Sequence, residues 1–516
     1  MNKLLALALG AMLAATAAPA FAASPIEFEG YVKVFHESLS NFDRGSTYQD
    51  RESFFWNRFN IDVTFRPNDQ VSVHWRFRGP HYQRWGAADA ANTSLETRYV
   101  YGEVVFPWGT IRAGRITDGL AGTVGGLGSL GYSPGWGAAE FTYAHAFDSG
   151  DAFDGITYSN KWDNGFGFAA YYAKYEHWYG SDIHNNYSWE GAHFQPRPIV
   201  DPVTGDRIQP TQFREGRFKD NDHDAFGVEA SYEWDGGGAT LGLKYDRDMT
   251  DPLLESAHAF FVNPSVFQSW GPFAIHFEAM FGWGKDTYSR ELADIDPLED
   301  NSIKSTGVGF YLDGVYNYGP GDITLAGWYV SGSGFETDVD GFPVPARKNK
   351  DLVGLGDFAP FLVAFNNVTL GTGTYSNNFG WEGYGACDGG VPDVTCSGAP
   401  GESTNQWGIG ILGNHSLTPE ISLNYGVGYF QLVKPHAAYA PSPWNIVYQS
   451  KDLGWEIDFG LSFQLLDNLS FDTMFGYMFN GKAFDMPEAV DADGNIISWK
   501  KAKDTFTWAN VVVFSF

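Results

Sequence analysis

Residues 55 to 77 contain two runs whose faces do not mix. Phe59, Ile61, Val63 and Phe65 share one side with Val71, Val73, Trp75 and Phe77, while Arg58, Asn60, Asp62 and Thr64 share the other with Ser72, His74, Arg76 and Arg78. Alternation with period two is the signature of a strand, and Pro67-Asn68-Asp69 between two such runs makes a hairpin. Apolar residues must oppose apolar ones, because a one-residue slip sends every side chain to the other face. A three-residue turn then predicts Phe59 opposite Phe77, Ile61 opposite Trp75, Val63 opposite Val73 and Phe65 opposite Val71. On the polar side it predicts Arg58 opposite Arg78, Asn60 opposite Arg76 and Asp62 opposite His74. Like charges facing each other need water or a counter-charge. The two faces therefore meet different surroundings.

Lys3, the apolar stretch from Leu4 to about Ala18, and the small-x-small sequence Ala20-Phe21-Ala22 together make a secretory signal peptide, residues 1–22. The mature chain, 23–516, is expected to be a single domain, and it has no run near the ~20 apolar residues of a spanning helix. Aromatics make up 17% of the chain and glycines number 62, yet the mean hydropathy is only -0.26. Strands that are apolar on one face and polar on the other produce that combination. Both a transmembrane barrel and a secreted sandwich or propeller fit it.

Tight turns are readable at Pro107-Trp108-Gly109, Asp163-Asn164-Gly165, Asp235 to Gly238, Gly319-Pro320-Gly321, Leu417-Thr418-Pro419 and Leu466-Asp467-Asn468. They alternate with long polar segments, the longest being about 179–222 and 331–404. Short turns at one end and long loops at the other describe a membrane barrel. With one more turn near Trp270-Gly271-Pro272 the count is 18 antiparallel strands with both ends periplasmic; merging two weak runs between residues 256 and 290 gives 16.

The last strand, Asp504 to Phe516, carries Phe506, Trp508, Val512, Phe514 and Phe516 on one parity, broken only by Asn510. A terminal aromatic closing such a strand resembles the assembly signal of Gram-negative outer-membrane barrels. YVYGEVVFPWGTIRAGRIT, Tyr99 to Thr117, resembles the strand, turn and strand that precede the pore-folding loop of trimeric porins. The resemblance implies an outer-membrane homotrimer among lipid and lipopolysaccharide that passes ions and small hydrophilic solutes. It also implies that the third loop, about 117–152, folds into the lumen. The two extended late loops leave room for a sugar- or anion-specific channel instead.

Segment 117–152 is rich in glycine, and no lysine or arginine occurs between Arg115 and Lys161. Asp118, Glu140, Asp148, Asp151 and Asp154 are the candidate constriction acids, to stand across the pore from Arg58, Arg66, Arg76, Arg78 and Arg112. A row of guanidinium groups opposite carboxylates makes a transverse field that admits polar solutes and sets ion preference. The other place for those arginines is the outer surface, against lipopolysaccharide; Arg98 and Arg115 have ambiguous parity. Tyr171, Tyr172, Trp328, Tyr329, Tyr425 and Tyr429 are expected in the interfacial girdle, with a sugar slide inside the pore as the alternative.

Without Lys3 the formal charge is 32 - 62 = -30, which disfavours nucleic acid and attracts cations. Cys387 and Cys396 are expected to form one disulfide after export, two free thiols being the alternative. No spacing suits a metal or a cofactor: the Asp-rich turns at 338–341 and 491–495 lack a calcium loop's last ligand, and the glycines after Gly122 lack the lysine of a phosphate loop. Neither a G-x-S-x-G elbow nor HExxH occurs, so an enzyme is not expected, an outer-membrane hydrolase being the rival in that class.

Overall fold

The computed structural model describes residues 26–40, 51–79, 83–84, 96–116, 153–177, 199–200, 207–208, 222–248, 254–288, 302–332, 335–337, 343–345, 348–349, 361, 405–434, 437–439, 446–448, 450–491 and 496–516. Eighteen long strands run antiparallel to their neighbours around a closed barrel. In chain order they are β1 (Ile26–Ser40), β2 (Arg51–Asn68), β3 (Val71–Arg78), β4 (Glu96–Phe106), β5 (Gly109–Ile116), β6 (Phe153–Lys161) and β7 (Phe166–His177). Then come β8 (Asp222–Trp234), β9 (Gly237–Asp248), β10 (Leu254–Trp270), β11 (Phe273–Tyr288), β12 (Ser302–Asn317) and β13 (Gly321–Val330). The last five are β14 (Gln406–Thr418), β15 (Ile421–Leu432), β16 (Asp452–Leu466), β17 (Leu469–Asn480) and β18 (Thr505–Ser515). The count of 18 prevails over 16 because β10 and β11 are two separate strands joined at Gly271-Pro272.

Each tight turn foreseen in the sequence joins two barrel strands at one end. Glycine is required where the backbone enters the left-handed region: Gly165 has φ +88° and Gly271 has φ +56°. β1 pairs with β18 from Tyr31↔Ser515 to Ser40↔Phe506, and Gly30 and Phe516 exchange two backbone hydrogen bonds of 3.0 Å. No edge strand is left, which is what a spanning sheet requires.

The hairpin's register differs from expectation by two residues. Ile61 faces Phe77, Val63 faces Trp75 and Phe65 faces Val73, so Asn60 meets Arg78, Asp62 meets Arg76 and Thr64 meets His74. The turn explains the slip. β2 continues to Asn68, whose Oδ1 accepts the Gln70 and Val71 amides at 2.9 and 3.0 Å. Arg66 and Pro67 fall in a bulge, where proline's missing N–H does not interrupt the ladder. A shift of two preserves the faces.

Those faces are inside-out relative to a water-soluble domain. Outward positions such as Trp75, Leu312 and Phe459 are 40, 53 and 49% exposed, whereas Glu278, Asp458 and Asp472 on the inner wall are at most 2% exposed. Adjacent aromatics divide between the faces because neighbours on a strand must alternate. Tyr172 and Tyr329 point outward, but Tyr171 and Trp328 are buried inside, which corrects their assignment to an outer girdle. A side chain at Gly30 would begin 2.5 Å from the Asn60 carbonyl and 2.8 Å from the Phe516 ring. Gly30→Val is therefore expected to loosen the closure of β1 on β18, and Phe516→Ala to cost roughly 1–2 kcal/mol of half-exposed aromatic contact. Both should unfold several degrees below the wild type in a heat-modifiable gel-mobility assay.

Candidate functional site

Polar side chains converge on the inner wall because only alternate positions face lipid. On β2 to β5 that wall carries the sequence-predicted arginines and, beside Arg66, Arg76 and Arg112, an acid from a neighbouring strand. Arg76 donates from Nε and Nη2 to the two Asp62 oxygens at 2.6 and 2.8 Å, while the Tyr99 hydroxyl donates to Asp62 Oδ1 at 2.7 Å. The guanidinium also lies 4.9 Å from the centre of the Tyr99 ring. Arg112 donates to Glu103 at 2.8 Å, and Arg66 reaches Glu27 at 3.4 Å. Arg58 and Arg78 are buried, and their registers bring them against Lys33 and Asn60. His74 lies between Thr64 Oγ1 at 3.3 Å and Ser72 Oγ at 2.8 Å, where Asp62 had been expected.

Of the five candidate acids, Asp118, Glu140, Asp148 and Asp151 lie outside the described residues, as do Cys387 and Cys396. Asp154 belongs to β6, where it faces Arg115 in the parity of the 51%-exposed Ile156, on the outer surface. That same pairing resolves Arg115 as outward; Arg98 occupies a bulge opposite β3. Phe516 closes the barrel as described above.

The inner wall beyond the arginine strands holds acids that the sequence did not single out. Glu229 on β8, Glu278 on β11, Asp313 on β12, Glu456 and Asp458 on β16 and Asp472 on β17 are all buried there. Asn263 donates to Glu278 at 3.1 Å, and His276 Nδ1 is 3.5 Å from Asp313. Alternation could have found several of them, since Glu229 sits between Val228 and Ala230, and Glu456 and Asp458 alternate with the outward Trp455, Ile457 and Phe459. Buried inner-wall charge thus separates into the bases Lys33, Arg58 and Arg78 on β1 to β3 and the acids of β8 to β17.

The wall is also stepped. Gly410 and Gly428 face inward on β14 and β15, and the Phe361 ring occupies the notch they leave, 5.2 Å from Phe430 and 6.2 Å from Trp328. A Cβ on either glycine would fall within 2.6 Å of that ring. One aromatic from the segment between β13 and β14 therefore lies inside the barrel.

A sequence model of the Gram-negative porin family matches residues 8–433, most of the chain. The chain belongs to the Gram-negative porin family. No curated protein matches it in sequence. Among solved structures the porin is similar to OccK2 (OpdF) of Pseudomonas aeruginosa, at 10% identity and TM-score 0.47 over 95% of this chain and 97% of that one. It is also similar to a BenF-like porin from Pseudomonas fluorescens Pf-5, at 8% identity and TM-score 0.46 over 95% and 98%. The porin is an outer-membrane channel, and its polar inner wall is the surface its solutes meet.

Arg76 and Asp62 are each about a quarter exposed. Bidentate geometry and the shared tyrosine make their coupling stronger than that of a surface pair. A double-mutant cycle of Asp62→Ala and Arg76→Ala is expected to return about 1–2 kcal/mol of interaction in thermal unfolding of the folded barrel. Additive single effects would show that each charge is satisfied by water.

Proposed function

We propose that this porin passes ions and small hydrophilic solutes passively across a field directed from the β2–β5 arginines to the acidic sector of β8–β17. The observation that carries it is the division of buried inner-wall charge: Arg58 and Arg78 on one side, Glu229, Glu278 and Asp313 on the other. A polar solute aligns its dipole in such a field and replaces its hydration with side-chain contacts. An apolar solute must displace ordered water and gains nothing.

Segment 117–152 is the proposed constriction. Its flanking residues support this: Ile116 and Phe153 pair across β5 and β6 and are buried inside with Tyr99, Tyr101 and Tyr171. Asp118, Asp148 and Asp151 would then add to the acids, giving cation preference. Reversal potentials in a salt gradient should move toward anions when these three become asparagine; an unmoved potential would put the segment outside the pore. The same shift is expected of Glu229→Gln with Glu278→Gln, whatever the segment does.

The homotrimer is proposed on an outward polar cluster that lipid would penalise. Midway along β18, Asn510 bonds His36 at 3.0 Å, His36 reaches Ser53 at 3.0 Å, and Phe55 and Trp508 flank them. A second subunit covering this patch explains why Asn510 breaks an otherwise apolar parity. Conductance steps in threes are expected, and Asn510→Leu with His36→Leu should alter the trimer's dissociation temperature without altering single-subunit conductance. The remaining parts of the proposal are a leader cleaved after Ala22, a Cys387–Cys396 disulfide, an assembly role for Phe516, lipopolysaccharide as a neighbour and no enzymatic activity.

A further inference from the structure

Near the long-loop side the outward rows of β5 to β12 each carry a charged or titratable residue, and these residues are direct cross-strand neighbours. Arg115 faces Asp154, Asp154 faces Lys174, Lys174 faces Asp224 and Asp224 faces Arg247. Signs alternate strictly along those five, with Arg247 at 2.7 Å and Lys174 at 3.8 Å from Asp224. The row then changes character. Arg247 is followed by His258, His258 by Lys285 and Lys285 by Lys304, with no acid between them.

Lys285 and Lys304 are both exposed and directly opposed on β11 and β12. Like charges in that relation destabilise a sheet unless a counter-charge lies nearby. Immediately below them, toward the apolar band, is a depression of about 510 Å³ lined by Val262, Phe281, Trp283, Thr306 and Val308, with the side-chain-free pair Gly282 and Gly307 at its floor. Two cations above an apolar groove, at the edge of a membrane band, complement one kind of molecule. It has a phosphorylated headgroup and an acyl chain on the same body.

We propose that the outward face of β10–β12 is a fixed site for a phosphorylated outer-leaflet lipid, its phosphate held between Lys285 and Lys304 and one acyl chain lying in the groove against Trp283. The site rests on the porin assignment, since it needs this rim of the barrel to stand at the outer leaflet. The alternating stretch from Arg115 to Arg247 neutralises itself and needs no lipid, so the site begins at β10; beyond Lys304 the sheet continues to Lys348, another base. A free phosphate would satisfy the lysines but leave the groove unused.

Native mass spectrometry of the detergent-solubilised, folded full-length protein tests this with lipid A carrying both phosphates and with the same lipid dephosphorylated. At about one kilocalorie per lysine near a membrane surface, Lys285→Ala with Lys304→Ala should weaken binding of phosphorylated lipid A roughly thirtyfold. Thr306→Trp, which fills the groove and leaves both charges, should also weaken it, whereas Lys244→Ala, on the inner face, should not. Equal binding of the two lipids, unchanged binding by the double variant, or full displacement by inorganic phosphate each overturns the site. So does a change in subunit number in the double variant, which would make the face a contact between copies. Planar-bilayer conductance of the same samples separates the two ideas: a conducting wild type without phosphate preference sinks the lipid site alone, and a folded, non-conducting one that still prefers the phosphorylated lipid sinks the passive-channel proposal alone.

Discussion

Everything in this fold depends on the closure of β1 against β18. A sheet crossing a bilayer finds no water in the hydrocarbon to satisfy an unpaired edge, so each backbone group left open there costs several kilocalories. The chain meets the requirement with its two most distant segments, which pair over ten residues from Tyr31↔Ser515 to Ser40↔Phe506. Phe516 then extends the ladder by one exchange with Gly30. Because that residue carries no side chain, the terminal ring lies directly over the first strand. Closure also creates the inside. Without it, the buried carboxylates of β8 to β17 would have no water-filled side to face.

Alternation carries a sequence reader far in such a fold, because one physical rule governs all eighteen strands. The faces, the eight tight turns and the strand number follow from it. Register does not. It depended on whether Arg66 and Pro67 belonged to the turn or to a bulge, and that was decided by an Asn68 side chain closing a shorter turn than composition suggests. The two-residue slip mattered chemically, since it gave Arg76 an acid in Asp62 where Asn60 had been expected.

The site was half legible for a related reason. Arginines stood out because they are clustered in sequence on β2 to β5, one hairpin after another. The opposing acids are scattered singly over β8, β11, β12, β16 and β17, and only the closed barrel collects them on one wall. Acids adjacent to the arginines in sequence drew attention instead, and Asp154 shows the risk in that: it lies on the outer surface opposite Arg115. Neighbouring tyrosines and tryptophans mislead in the same manner, since a pair such as Tyr171 and Tyr172 must divide between lumen and lipid.

Charge on the outer surface obeys a different economy from charge inside. On the inner wall a carboxylate can keep water or a passing cation, so surplus acid is tolerable there. At the edge of the lipid band each charge needs a fixed partner, and between β5 and β9 the chain supplies one residue by residue. Where the described cross-strand neighbours stop doing so, at Lys285 and Lys304, the requirement has not vanished. An opposed lysine pair above an apolar groove is therefore better understood as half of an interaction than as a surface left unfinished, and the other half must be an anion that is at home in a membrane.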